Sequence, residues 1–238
     1  NVLQDINLHI KEGTMTALVG ESGSGKSTLA KLLVHFYDVN EGSISIGGQD
    51  ITSINQKELN EQISYVAQEQ FLFNTSLYEN IKIGKPSASK EEVLEAARKA
   101  QCMEFLERLE KGIDTMAGDG GKSLSGGERQ RICLARAILK DAPIIVFDEA
   151  TAFIDPENED KLNLAISEII KNKTVIVIAH RLSSIQSAEQ ICVLSEGKIT
   201  ACATHDELIK DCSEYKALWD KSNEIMNWKV NAGGVEYA

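Results

Sequence analysis

One short segment limits this chain's fold more than any other: GESGSGKST, residues 20–28. It fits the pattern G-x-x-x-x-G-K-[ST], with Gly20, Gly25, Lys26 and Ser27 at the fixed positions. Its flanks suit the motif. TMTALVG (14–20) is a short apolar run that reads as a buried strand, and Lys26 to Phe36 places Leu29, Leu32, Leu33 and Phe36 at helical spacing. A strand that turns through glycines directly into a helix leaves the first helical amides without partners, and such amides bind phosphate. Gly20, Glu21, Ser22, Gly23, Ser24 and Gly25 then form the wrapping loop. The amides of about Ser24 to Thr28 point at a β-phosphate, Lys26 bridges the β- and γ-phosphates, and the Ser27 hydroxyl sits on Mg²⁺.

The remaining pattern supplies the sheet that such a loop needs. GSISIGG (42–48), QISYVAQ (62–68), IIVF (144–147), TVIVIA (174–179) and a hairpin over 191–200 read as strands, and NVLQDINLHI at the start reads as another. Helices are expected over 89–111, with Val93, Ala96, Ala97 and Ala100 on one face, over 128–140 and over 157–171, where Asp155-Pro156 makes a good start. Alternation of strands and helices predicts an α/β fold: a mostly parallel sheet covered on both faces, with an antiparallel edge. The mainly helical stretch from about 70 to 140 interrupts that alternation and reads as a helical subdomain inserted into the core. The tail NAGGVEYA (231–238) reads as disordered. Residue 1 is Asn rather than Met, which reads as a chain cut from something longer.

Charge and cysteine content narrow the classes. With 25 basic and 36 acidic residues the net charge is −11, which argues against a nucleic-acid surface. No run reaches the ~18 apolar residues of a membrane-spanning helix. Cys102, Cys133, Cys192, Cys202 and Cys212 show no C-x-x-C spacing and no clustering with the four histidines, so zinc is not expected and the thiols read as reduced.

A second chemical element is IIVFDEA (144–150). An apolar strand ending in Asp-Glu brings two carboxylates to the carboxyl edge of the sheet, where ligands of open α/β sheets bind. Asp148 would hold Mg²⁺ through water, and Glu149 would polarise the attacking water as general base. His180 ends another strand at the same edge and would contact the γ-phosphate and couple the water to Glu149. A third element, SLSGGERQR (123–131), reads as a further anion site: a Ser and two Gly immediately before a helix.

In order, GESGSGKST, YVAQEQFLF, LSGGERQR, IIVFDEA and AHRLS resemble the nucleotide-binding domain of an ATP-binding cassette (ABC) transporter, a P-loop NTPase, over residues 1–225, leaving 226–238 as a C-terminal tail. The resemblance implies ATP and Mg²⁺ as ligands. It also assigns further roles: Gln68 touches Mg²⁺ and the attacking water, and faces the coupling helices of a transmembrane domain. Leu124, Ser125, Gly126, Gly127 and Glu128 match the signature that holds the γ-phosphate of a neighbour's ATP, Asp155 matches the D-loop aspartate, and His180 the switch histidine. It further implies a head-to-tail dimer with a second nucleotide-binding domain, identical or different, and a transmembrane domain, fused N-terminally, at the cytoplasmic face of a cell membrane. FLFNTSLYENI (71–81) and TMAGDGG (115–121) are similar to the corresponding pieces of exporter-fold members, and EATAFIDPENE resembles a subgroup linked to siderophore transport.

Three departures stand out. Asp119 replaces the usual Glu before the signature, Glu128 replaces the signature's usual Gln, and Ala152-Phe153-Ile154-Asp155 replaces Ser-Ala-Leu-Asp. A carboxylate in the first turn of a helix suits its dipole by roughly 0.3–1 kcal/mol. The aromatic that stacks on adenine is expected before residue 1. The alternative reading is a soluble ABC ATPase of DNA repair or translation. The first would split the motifs with long coiled coil, whereas only roughly 100 residues without heptads separate Ser27 from Ser125. The second would carry two cassettes and basic linkers, and this chain is acidic. A GTPase is disfavoured because NKTV (172–175) has Val where a guanine reader needs Asp. The transported molecule is not encoded in this segment.

Overall fold

The computed structural model describes residues 2–148, 164–179 and 182–232. Among them, β1 (Met15–Val19), β4 (Ile63–Val66), β5 (Ile144–Asp148), β6 (Thr174–Ile178), β7 (Gln190–Ser195) and β8 (Lys198–Ala203) form one sheet in the order β4-β5-β6-β1-β7-β8. All neighbouring pairs are parallel except the β7–β8 edge. A small antiparallel pair, β2 (Ser45–Ile46) with β3 (Gln49–Asp50), stands apart. The α/β class with a mostly parallel sheet and an antiparallel edge is therefore the one the residue pattern dictates.

Strand alternation divides the core. Leu18, Val146, Ile176, Ile178, Cys192 and Leu194 face α1 (Lys26–Leu33) and α2 (Gln56–Gln62). On the other face Ile145, Phe147 and Val175 meet the helical insertion, while Ala17, Val19, Ile191 and Val193 pack with α8 (His205–Asp211) and α9 (Ser213–Ala232). Because both faces are covered, the central strands are apolar throughout rather than alternating.

A helical stretch lies between β4 and β5. It comprises α3 (Leu77–Lys82), α4 (Lys90–Lys99), α5 (Met103–Arg108) and α6 (Gly126–Lys140). Residues 164–170 form a further helix, α7, against the same face. Ser89 and Glu92 close α4 with reciprocal hydrogen bonds, Glu92 N to Ser89 Oγ at 3.2 Å and Ser89 N to Glu92 Oε2 at 2.8 Å. The single helix expected over 89–111 is in fact two. Gln101 at φ 57° breaks the chain between α4 and α5, turning Phe105 and Leu106 into the core.

Three other expectations change. Residues 2–10 join no ladder; instead Leu3, Ile6, Leu8 and Ile10 lay their side chains against the α1 face, an alternation that imitates a strand. The last helix runs on to Ala232, across the boundary placed at 225; residues 233–238 lie outside the described residues. The thiols are not all free. The β7–β8 register sets Cys192 directly opposite Cys202, and the two form a disulfide, while Cys102, Cys133 and Cys212 remain thiols. A ten-residue spacing around a hairpin turn carries no motif, so only the register reveals the pair.

One polar residue ties the insertion together. Asn80, fully buried, accepts from Phe73 N at 2.9 Å and from Arg136 Nη2 through its side-chain oxygen. Its amide donates to Phe73 O at 2.9 Å, Ser76 O at 3.0 Å and Thr75 Oγ1 at 3.1 Å, while Arg136 Nε donates to Asn80 O at 2.6 Å. The segment 71–76 is thus fixed to α3 and α6 by side-chain hydrogen bonds, beside a single antiparallel bridge that pairs Ser76 with Met116. Asn80→Ala strands several of these groups, and it is expected to cost about 2–3 kcal/mol, read as a lower urea midpoint with an unchanged slope.

Candidate functional site

The phosphate loop departs from β1 at its carboxyl end. Gly20 has φ 150°, Gly23 φ 82° and Gly25 φ 103°, the last being the N-cap of α1 with no side-chain cap. Two of the three positions are closely approached, Gly20 by backbone and Gly25 by the end of a side chain. A Cβ on Gly20 would run into the Leu194 carbonyl of β7, and one on Gly25 would meet Leu3 Cδ2 at 2.6 Å. Glycine here lets the loop close against its neighbours as well as turn. Two elements absent from the motif brace it: Gly197 N, in the β7–β8 turn, donates to Ser24 O at 3.2 Å, and Gln4 N donates to Gly197 O at 2.9 Å.

Lys26 is nearly buried. Its ammonium donates to Gly20 O at 2.9 Å, Glu21 O at 2.7 Å and Ser24 Oγ at 3.3 Å, so its charge lies within the ring of the loop. Glu21, Ser22 and Gly23 form the exposed crest, and Ser24, Gly25 and Lys26 the buried floor; Ser27 and Thr28 are half-buried in the first turn of α1. Ser27 Oγ donates to Asp148 Oδ1 at 3.1 Å, joining α1 to the carboxyl end of β5. Asp148 is 3% exposed, a burial that a carboxylate tolerates only with donors around it. Its second oxygen accepts from Tyr65 on β4, at 2.6 Å. Burial, and then the bond to Asp148, push the Tyr65 phenol above its ordinary pKa, which keeps it a protonated donor.

Gln68 lies two residues beyond β4 and is exposed; its carbonyl accepts from Gln70 Nε2 at 2.8 Å. The 124–128 segment sits on a different body, at the start of α6 in the insertion. Leu124 is buried. Ser125 caps the helix: its Oγ accepts from Glu128 N at 3.3 Å, and its own N–H donates to Glu128 Oε2 at 2.8 Å. Glu128 also pairs with Arg108 at 3.3 Å. This capping box occupies the amides of Ser125 and Glu128, and helix geometry gives the Gly126 and Gly127 amides no intrahelical acceptor. Those two N–H groups and the Ser125 hydroxyl hydrogen are donors of the kind that bind anions at helix starts.

Ser27, Lys26 and Asp148 are thus brought together, and 124–128 stand apart from them on the insertion. Glu149, Asp155 and His180 lie outside the described residues, as does the expected helix start at Asp155-Pro156. No motif in QISYVAQ singles out Tyr65, because that segment reads only as a strand leading to Gln68. Its signal was the period-two alternation that puts residue 65 on the α1 side of β4.

Comparison with known proteins agrees with this geometry. The family model described as ABC transporter matches residues 3–152. The chain is 47% identical over 238 residues to a mycobactin import ATP-binding/permease protein, IrtA, of Mycolicibacterium thermoresistibile, covering 99% of this chain and 26% of that protein. It is 46% identical over 218 residues to an ATP-dependent lipid A-core flippase of Haemophilus ducreyi, covering 91% of this chain and 38% of the flippase. Among solved structures, a bacterial Atm1-family ABC exporter with ATP bound superimposes with a TM-score of 0.87 at 39% identity, over 92% of this chain and 39% of the exporter chain. The chain therefore spans between about a quarter and two fifths of the length of these relatives.

The Gly20 contact supplies a direct test. Gly20→Ala forces the loop away from Leu194 and is expected to lower the affinity for a fluorescent ATP analogue roughly five- to 150-fold, for an overpacking cost of roughly 1–3 kcal/mol. Gly13→Ala, at φ 72° with open space around its would-be Cβ, should leave that affinity unchanged.

Proposed function

Since the chain belongs to the ABC transporter family, we propose that it binds ATP with Mg²⁺ at residues 20–28 and hydrolyses it within a head-to-tail dimer, driving a membrane domain carried by the same protein. The observation that carries this reading is the Ser27–Asp148 hydrogen bond at the mouth of the phosphate loop. It presents hydroxyl and carboxylate oxygens side by side, at the place where the loop would set the β- and γ-phosphates. An all-oxygen donor set suits Mg²⁺, a hard ion that keeps waters and takes few protein ligands. Ser27 and Asp148, with Gln68, would hold it there, and the ion would offset negative charge on the phosphate oxygens.

The rest of the chemistry follows from charge. Lys26 exchanges its loop carbonyls for β- and γ-phosphate oxygens. Glu149, next to the Mg²⁺ carboxylate, takes a proton from the attacking water, and His180 contacts the γ-phosphate and orients that water. Gly126, Gly127 and Ser125 of the second domain supply donors to the same γ-phosphate from across the dimer; preorganised donors of this kind are worth roughly 10²–10³ in rate. With one γ-phosphate touching two chains, its loss releases the dimer, and the cycle of closure and opening moves the membrane domain.

An exposed apolar patch supports the membrane-domain partner. Phe71 and Phe73, 57% and 52% exposed, stand edge to face with ring centres 5.2 Å apart, and Met116 on the neighbouring segment is 54% exposed. The network around Asn80 fixes them on the insertion, a few residues beyond Gln68. Large apolar side chains held rigid at a surface mark a docking site. No helix of the described residues is long and apolar enough to cross a membrane. The transporter relatives are much longer than this chain, and on that likeness the membrane-spanning part is assigned to the rest of the protein and this domain to the cytoplasmic face. Within the family, the likeness to a mycobactin importer and to a lipid A-core flippase along nearly the whole chain favours an exporter-fold transporter over a repair or translation ATPase.

Two substitutions in the full-length protein test the reading. Glu149→Gln is expected to reduce ATP turnover by at least about 10²-fold, the scale of a lost general base, and to trap an ATP-bound dimer on size-exclusion chromatography. Near-normal turnover would remove Glu149 from that role. Ser125→Arg is expected to stop turnover while ATP binding to the isolated site keeps its affinity. An equal loss of binding would place the signature in the chain's own site.

A further inference from the structure

Asp148 is gripped from two sides, and only one grip belongs to the phosphate loop. Residues 65 and 146 are partners in the β4–β5 ladder, so their side chains share a face; Asp148 stands two residues further along β5 on that same face. A diagonal neighbour at that offset lies within reach of a tyrosine. The Tyr65 hydroxyl donates to Asp148 Oδ2 at 2.6 Å, and the Ser27 hydroxyl donates to Oδ1 at 3.1 Å. The torsion that orients a carboxylate is broad and weakly held by itself. One donor leaves it free to swing about that contact, and a second donor on the opposite oxygen fixes the plane.

Tyr65 is itself held in place. Phe36, just beyond the end of α1, meets its ring edge to face, with centroids 5.4 Å apart and planes at 74°. Phe36 and Ser27 follow from the same helix, so α1 positions both the tyrosine that turns the carboxylate and the serine that receives it. The phenyl body would fill this space without its hydroxyl. The hydroxyl's one described partner is the single carboxylate that reaches the mouth of the loop from β5.

From this arrangement we infer that Tyr65 is a positioning residue for the metal-binding carboxylate. By holding Oδ2 it turns Oδ1 toward Ser27 and readies the pair for Mg²⁺ before nucleotide arrives. The inference rests on the reading that Ser27 and Asp148 hold Mg²⁺. It predicts a selective effect: removing the hydroxyl weakens the metal in the nucleotide complex and leaves metal-free nucleotide binding alone.

The test uses the full-length protein, with Mn²⁺ as the spectroscopic probe and a trinitrophenyl-ATP analogue as the nucleotide. Nucleotide affinity is measured in EDTA, and Mn²⁺ binding to the nucleotide complex by electron paramagnetic resonance. Tyr65→Phe is expected to raise the Mn²⁺ concentration for half-saturation about three- to tenfold, the weight of one hydrogen bond, with affinity in EDTA within about twofold. Asp148→Asn should lose Mn²⁺ binding more severely, and adding Tyr65→Phe to it should change nothing further. An unchanged Mn²⁺ response in Tyr65→Phe, with the loss present in Asp148→Asn, would overturn the role of Tyr65 alone. An unchanged response in both would overturn the metal site itself. Equal weakening with and without metal in Tyr65→Phe would make the tyrosine a support of the loop and likewise overturn the inference.

Discussion

Asp148 sits buried at the end of β5, and its two oxygens take hydrogen bonds from α1 and from β4. A carboxylate removed from water in this way must be matched by donors, or it destabilises the fold that buries it. Here the donors come from elements far apart in sequence, so the buried charge fixes how three elements meet. The parallel sheet makes that meeting possible: β1, β4 and β5 all deliver their carboxyl ends to one edge. The loop that follows β1, the carboxylate that ends β5 and the chain that leaves β4 toward Gln68 are consequences of one topology. The close approach of Gly20 to Leu194 and the Gly197–Ser24 bond then lock the loop onto β7, so the sheet positions both of its ends.

The insertion solves a different problem. In the proposed function it presents residues 125–128 apart from the loop at 20–28. It does so through α6, whose first turn carries the anion-binding amides and whose buried side chains, Ile132, Leu134 and Ala135, anchor it in the core shared with β5. Asn80 and Arg136 extend this anchoring to the 71–76 segment, whose backbone is otherwise paired by the Ser76–Met116 bridge. A polar network with all its members partnered specifies one geometry, and here it holds two exposed phenylalanines near Gln68. The helix that carries the signature and the segment that carries the patch are therefore parts of one packed unit.

Much of this was legible in the residues alone. The glycines and Lys26 of the loop, the apolar strands and the Ser-x-x-Glu box at 125–128 each encode local geometry at fixed short spacing, and local geometry survives folding. What escaped depends on pairing between distant segments. Tyr65 acquires its role only when β4 lies beside β5 in a particular register, and Cys192 meets Cys202 only in the β7–β8 register. The segment 2–10 looked like a strand because its apolar side chains alternate, yet alternation records which side is buried, not whether a neighbour supplies a ladder. The break at Gln101 was hidden because the flanking residues, Ala100 and Cys102, are as compatible with a continuous helix as with its end.

Glu128 shows how a departure from a family pattern can leave geometry intact. The usual Gln and the Glu found here are both able to accept from the N-cap amide, so either closes the box with Ser125. What changes is one negative charge at the helix start proposed to receive a phosphate. Two features offset it. The positive end of the α6 dipole lies beneath the carboxylate, and Arg108 approaches it at 3.3 Å from α5. Because the Arg108 side chain is 66% exposed, that pair contributes little by itself, within about 1 kcal/mol. The dipole and the box are therefore the main compensation. The carboxylate is already committed to the Ser125 amide, and in that state it orders the turn more than it would repel the proposed anion.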